Sequence, residues 1–152
     1  MPGAMTRLVS RHFEEFPMSP IAAAALYIGA LGVLLIVLAL LVVRQRRRAR
    51  VSTGDGGDAL LRNAMRAHGN ATENIPMMAA LLIVLALLPA PTPLIHAFGA
   101  ICVIARILQA MGLSANAEGT SPPRFLGTLL SFLTIMAMGA AAIFGAFMGS
   151  AG

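Results

Sequence analysis

Apolar residues along this chain fall into four long runs separated by short polar breaks, at residues 20–43, 71–88, 94–114 and 125–148. Each is of a length to cross a bilayer as a helix, which takes about 20 residues. The breaks carry helix-start punctuation. Ser19-Pro20, Thr92-Pro93 and Ser121-Pro122 each place a hydroxyl at an N-cap position and a proline at the first helical position. Asp58, after the turn-forming "TGDGG", can cap an earlier start of the second helix, so that "ALLRNAMRAHGNATE" extends that span beyond the membrane. The connections "PAPTP" and "ANAEGTSPP" are short, which makes consecutive helices antiparallel neighbours. The pattern predicts an all-α, integral membrane four-helix up-down bundle over residues 20–152. Residues 1–19 form an N-terminal extension. Met5, Leu8, Val9, His12, Phe13 and Phe16 fall there at helical spacing, and both an amphipathic surface helix and a frayed tail fit them.

Composition agrees with the membrane reading: 58% of residues are hydrophobic and 11% charged. The net charge of +5 comes from arginine, since the chain has no lysine. Five of those arginines lie in "RQRRRAR", directly after the first apolar run, which suits the cytoplasmic flank of a membrane helix and anionic headgroups rather than nucleic acid. That placement puts the first and third connections in the cytoplasm and both termini outside. Short loops suit a bacterial inner membrane. Cys102, the single cysteine, sits in an apolar run and reads as a packing residue. The scattered histidines and lone cysteine offer no metal-ligand spacing, so no metal is expected.

Candidate chemistry is concentrated where polar residues meet the membrane. On the second helix, Arg62, Arg66, Asn70, Glu73 and Met77 form one stripe, with His68 facing elsewhere. Pro76 should kink the helix just past Glu73, unless it is simply a tolerated membrane proline. In "ICVIARILQAM" the third helix buries Arg106 roughly 18 Å from its outer end, at a cost of ~2.5–3.5 kcal/mol on insertion scales. Glu73 is the one acidic residue inside a predicted span, so the expected partner of Arg106 is Glu73, with Gln109 alongside. Arg124 begins the fourth helix on the same side. Such a pair can be a structural lock or part of a ligand site; three arginines against one glutamate favour an anionic ligand. The small-residue series Ala141, Gly145, Gly149, and more weakly Ala25 and Gly29, permits close helix approach and self-association.

The segment "RAHGNATENIP" resembles the signature of the membrane-associated proteins in eicosanoid and glutathione metabolism (MAPEG), through Arg66, His68, Asn70, Glu73 and Pro76. The Arg106 segment and "RFLGTLL" from Arg124 resemble bacterial members as well, so the likeness covers roughly residues 20–148. The resemblance implies a homotrimer that uses glutathione as co-substrate near the cytoplasmic face. The implied activity is that of a transferase or peroxidase acting on lipophilic electrophiles or lipid hydroperoxides. By the same resemblance, Arg66, Asn70 and Glu73 hold glutathione, Arg106 and Gln109 line the site, and Arg124 stabilises the thiolate. A cationic neighbour lowers a thiol pKa, which gives that last role a physical basis. The chain departs from characterised enzymes at Asn63 and Asn74, and at Gln109 and Leu113, where tyrosine or histidine and then tyrosine stand. A non-catalytic membrane protein of the same fold, a lipid-binding scaffold or assembly subunit, is the competing reading. A transporter is disfavoured, because no inverted repeat or pair of broken spans is present.

Overall fold

The computed structural model describes residues 18–115 and 121–149. They form four helices, α1 (Pro20–Ala49), α2 (Ala59–Leu87), α3 (Thr92–Ala115) and α4 (Pro122–Gly149), and no strand. All four are long and apolar enough to cross a membrane, and the protein is an integral membrane four-helix bundle. The helical spacing noted between Met5 and Phe16 falls outside the described residues.

Local signals set the ends. The Ser19 hydroxyl accepts from the Ala22 amide at 3.3 Å, capping α1 as its sequence predicts. That helix runs six residues past the end of its apolar segment, because arginine is a good helix former and its charge suits a helix C-terminus. It stops where Arg50 turns left-handed at φ 55°. Asp58 caps α2 through the Leu61 amide at 2.8 Å, and the helix continues through Pro76. The other two hydroxyls do not cap as expected. Thr92 is already inside α3, whose first turn closes on the Pro91 carbonyl. The Ser121 hydroxyl instead donates to the Gly112 carbonyl of α3 at 2.9 Å, tying the start of α4 to its neighbour.

The α1–α2 connection is pinned by charge. Arg46 donates to the carbonyls of Ser52 and Gly54, Arg48 pairs with Asp58 at 2.6 Å, and Arg62 pairs with Asp55 at 2.5 Å. Backbone N–H groups of Gly57 and Leu61, and then the two arginines, hold the carboxyls of Asp55 and Asp58 below the usual aspartate range.

Within the bundle α2 and α3 are central, each packing on all three other helices, whereas α1 and α4 do not meet. A buried stripe on α2, comprising Ala67, Ala71, Ile75, Met78, Leu82 and Leu85, faces the core with Leu31 of α1, Cys102 of α3 and Met138 of α4. Cys102 is a packing residue, fully buried. Near the other end, Tyr27 of α1 and His96 of α3 are hydrogen-bonded at 3.0 Å. Apolar side chains on the outer faces of α1 and α4, such as Val33, Leu40, Phe132 and Met136, remain exposed on the isolated chain, as lipid-facing positions should be. The small-residue series has an internal use: a Cβ at Gly145 would stand 3.1 Å from Leu88, so this glycine admits the end of α2 of the same chain.

Candidate functional site

The α2 core stripe determines what lies beside it. One residue back from Ala67 and Ala71, about 100° around the helix, come Arg66 and Asn70, with Glu73 on the same flank. Arg66, Gly69, Asn70 and Glu73 form one wall of a cleft of about 400 Å³; Gln109 and Leu113 of α3 and Arg124 and Thr128 of α4 complete it. All three contributions come from the ends of helices nearest the first and third connections. Five of the six residues singled out in the sequence, Arg66, Asn70, Glu73, Gln109 and Arg124, thus share one cavity. Arg62 and Met77 do not join it: Arg62 turns to Asp55, and Met77 faces outward, exposed.

Arg106 is the sixth, and it lies beneath the cleft rather than on its wall, only 2% exposed. The expected ion pair with Glu73 is absent. Nη1 of Arg106 donates to the side-chain oxygens of Asn70 at 2.6 Å and Gln109 at 2.9 Å, while Nη2 donates to the Ser131 hydroxyl and the Gly127 carbonyl. Nε is buried without a partner. The reason for the difference is angular. Asn70 borders the buried stripe and reaches inward, whereas Glu73 stands exposed on the open side. Neutral oxygens can satisfy a guanidinium donor by donor, but they do not cancel its charge. None of Arg66, Arg106 and Arg124 is ion-paired to Glu73, and the cluster holds three cations against one anion.

Sequence reading missed the α4 contribution beyond Arg124. Gly127, Thr128 and Ser131 recur at helical spacing from it, placing small and hydroxyl residues on one face of an otherwise apolar helix. A Cβ at Gly127 would stand 2.6 Å from the Ala105 carbonyl oxygen and the Gln109 amide nitrogen, so α4 approaches α3 this closely only with glycine there. That approach brings Ser131 to Arg106. The Ser131 hydroxyl spends its proton on the Gly127 carbonyl at 2.6 Å, which leaves its lone pairs for the guanidinium. Gly112 acts likewise one turn further along: a side chain there would meet Arg124 Cβ at 2.7 Å. The start of α4 therefore sits directly against α3, with Arg124 beside Gly112.

Chemically, the cleft is a cationic, donor-rich recess at the end of a membrane bundle, with one carboxylate on its rim. It suits an anionic ligand that also carries one positive group.

Two kinds of comparison bear on this arrangement. The model of the MAPEG family matches residues 24–144. Among curated proteins, the chain is similar to the inner membrane protein YecN of Escherichia coli strain K12. The two are 36% identical over 89 residues, which is 59% of this chain and 68% of the relative. The YecN protein of Escherichia coli O6:H1 matches to the same extent, 36% over 89 residues.

Proposed function

The chain belongs to the MAPEG family, and on that premise we propose that the cleft binds glutathione as co-substrate. The reaction would be a glutathione-dependent transfer to lipophilic electrophiles, or reduction of lipid hydroperoxides, at the cytoplasmic face of a bacterial inner membrane. In this reading the protein is a homotrimer with both termini outside. The observation that carries the proposal is the convergence of Arg66, Arg124, Asn70 and Gln109 around a single carboxylate, Glu73. Glutathione has two carboxylates and one ammonium, so its charge pattern is complementary to that set. Glu73 takes the ammonium; Arg66 and the amides take a carboxylate. Arg124 faces the thiol and favours its thiolate, the nucleophilic form. Attack of the thiolate on an electrophilic carbon forms the C–S bond, and the electron pair leaves with the displaced group or passes to the acceptor. The exposed apolar faces of the helices give a lipid-dissolved partner a route from the bilayer.

The test is thermal unfolding of the detergent-solubilised protein across a glutathione titration, with Glu73→Gln as control. Binding to the native state alone raises stability by about 2.7 kcal/mol at a hundred times Kd. A saturable rise in the wild type that Glu73→Gln lacks is the expected result; a flat response from well-folded protein sinks the proposal.

Leu113 and Gln109 favour a second reading, because they stand where characterised members have tyrosine or histidine. A non-catalytic membrane scaffold of this fold would keep Arg106 and its oxygen partners as structure. Variants at the cleft would then change stability with no effect of glutathione.

A further inference from the structure

We propose that Arg106 is a positioning residue that sets the polarity of the cleft. By taking the side-chain oxygens of Asn70 and Gln109, it turns both amide NH2 groups toward the ligand. The two amides then offer the cleft hydrogen-bond donors only. The proposal deepens the glutathione reading and rests on it for the identity of the anion, though not for the orientation of the amides.

The argument begins with what a guanidinium is. It has five N–H donors and no acceptor, so any amide atom within hydrogen-bond distance of it must be the oxygen. Asn70 Oδ1 lies 2.6 Å and Gln109 Oε1 2.9 Å from the same nitrogen, Nη1. Rotating either amide by half a turn would set N–H against N–H in a buried place. Each planar amide therefore has its NH2 arm directed away from Arg106. Both residues line the cleft, and neither NH2 group has a partner among the described residues.

Arg106 can impose this because it is itself immobile. It is 2% exposed, and Nη2 is held by the Ser131 hydroxyl and the Gly127 carbonyl. Ser131 is fixed as an acceptor toward the guanidinium, since its proton is committed to Gly127. The orientation thus passes from the α3–α4 contact, through a buried cation, to two amides on α3 and α2. With Arg66 and Arg124 also present, four side chains of the wall present N–H, while Glu73 on the rim and the Thr128 hydroxyl, whose proton goes to the Arg124 carbonyl, are the acceptors.

Gln109→Glu and Asn70→Asp separate orientation from packing. Each keeps size and keeps an oxygen on Arg106, but replaces the NH2 arm facing the cleft by an anionic oxygen. Unfolding midpoints without ligand and the Kd for glutathione are measured for the wild type and both variants. The expected result is an unchanged or raised midpoint, since a carboxylate now meets an uncompensated cation, together with glutathione binding weakened at least tenfold. Amide arms that do not face the ligand would leave Kd unmoved in variants that keep Arg106 braced. Wild type and variants that bind equally well overturn the proposal, and so does a lowered midpoint for both variants, which would mean that the oxygens do not face Arg106. Should the wild type not bind glutathione, the ligand assignment fails by itself. The midpoints then decide the orientation: at or above wild type they support it, below for both they overturn it.

Discussion

The close seating of α4 on α3 at Gly127 makes a quantitative prediction. Gly127→Ala adds one carbon to α4, and that carbon would lie 2.6 Å from two backbone atoms of α3 and 2.9 Å from Gln109 Cβ. Ordinary contacts begin at 3.4 Å, so the shortfall is about 0.8 Å, and helix backbone cannot yield locally as a side-chain tip can. Overpacking of this kind costs about 1–3 kcal/mol. Alanine gains about 0.5–1 kcal/mol over glycine inside a helix, which leaves a net loss centred on about 1 kcal/mol. For a domain of this size that lowers the unfolding midpoint by roughly 2–4 °C. The displacement also draws Ser131 away from Arg106, so glutathione binding should weaken with it. The assay is thermal unfolding in detergent, with Gly139→Ala as the comparison. Gly139 lies in the same helix, and a Cβ there would meet nothing within 4 Å, so alanine should match or exceed wild type. Equal midpoints for Gly127→Ala and Gly139→Ala would refute the account of α4 seated on α3.

Two further outcomes follow from the hydrogen bonds. Ser131→Ala leaves Arg106 Nη2 with only the Gly127 carbonyl at 3.4 Å; hydrogen bonds within membrane bundles average about 0.6 kcal/mol and reach ~1.7, and the charged donor places this one at the upper end, so a midpoint equal to wild type would count against the bracing role. In the α1–α2 connection, Asp55 and Asp58 have folded pKa values below the ordinary 3.8, so their stabilisation is present above that value and is lost as pH falls through the folded ones. The unfolding midpoint of an Asp55→Asn, Asp58→Asn double variant should lie below wild type at pH 6 and converge on it below about pH 4; a constant gap would show that the carboxylates' charge is not what matters.

Much of this was legible in the chain. Apolar runs of membrane length, Ser19 and Asp58 as caps, and short connections define the bundle, because in a bilayer every backbone group must be satisfied within a helix. The cleft residues on α2 followed from one 3.6-residue stripe. What escaped was where the helices meet. Ser121 reads as a cap, yet spends its hydroxyl on Gly112 of a neighbouring helix. Gly145 reads as a surface for close helix approach, and within the chain the neighbour it makes room for is Leu88. Both assignments depend on the rotation of one helix against another, which side-chain volumes at the contact decide and helical periodicity does not contain. Thr128 and Ser131 were visible as a polar stripe on α4, but hydroxyls in membrane helices also bond their own backbone, as Thr128 does to the Arg124 carbonyl at 2.9 Å, so the stripe alone did not mark a site.

Arg106 is the instructive difference. A deep arginine in a membrane helix suggests a carboxylate partner, and Glu73 was the only one within reach of the pattern. Neutral oxygens of Asn70, Gln109, Gly127 and Ser131 hold Arg106 instead, and this changes what its neighbours do. A buried ion pair would make Glu73→Gln costly, about 3–5 kcal/mol, by stranding the cation. With Glu73 exposed and separate from Arg106, Glu73→Gln should cost no more than about 0.5 kcal/mol. In a double-mutant cycle, Glu73→Gln with Arg106→Lys should show coupling below about 0.5 kcal/mol, whereas Gln109→Glu with Arg106→Lys should couple strongly. Strong coupling at Glu73 would restore the ion pair and remove the surplus charge from the cleft. Weak coupling leaves Arg106 uncompensated, so that its field adds to those of Arg66 and Arg124, and leaves the one carboxylate of the rim available to a ligand's positive group.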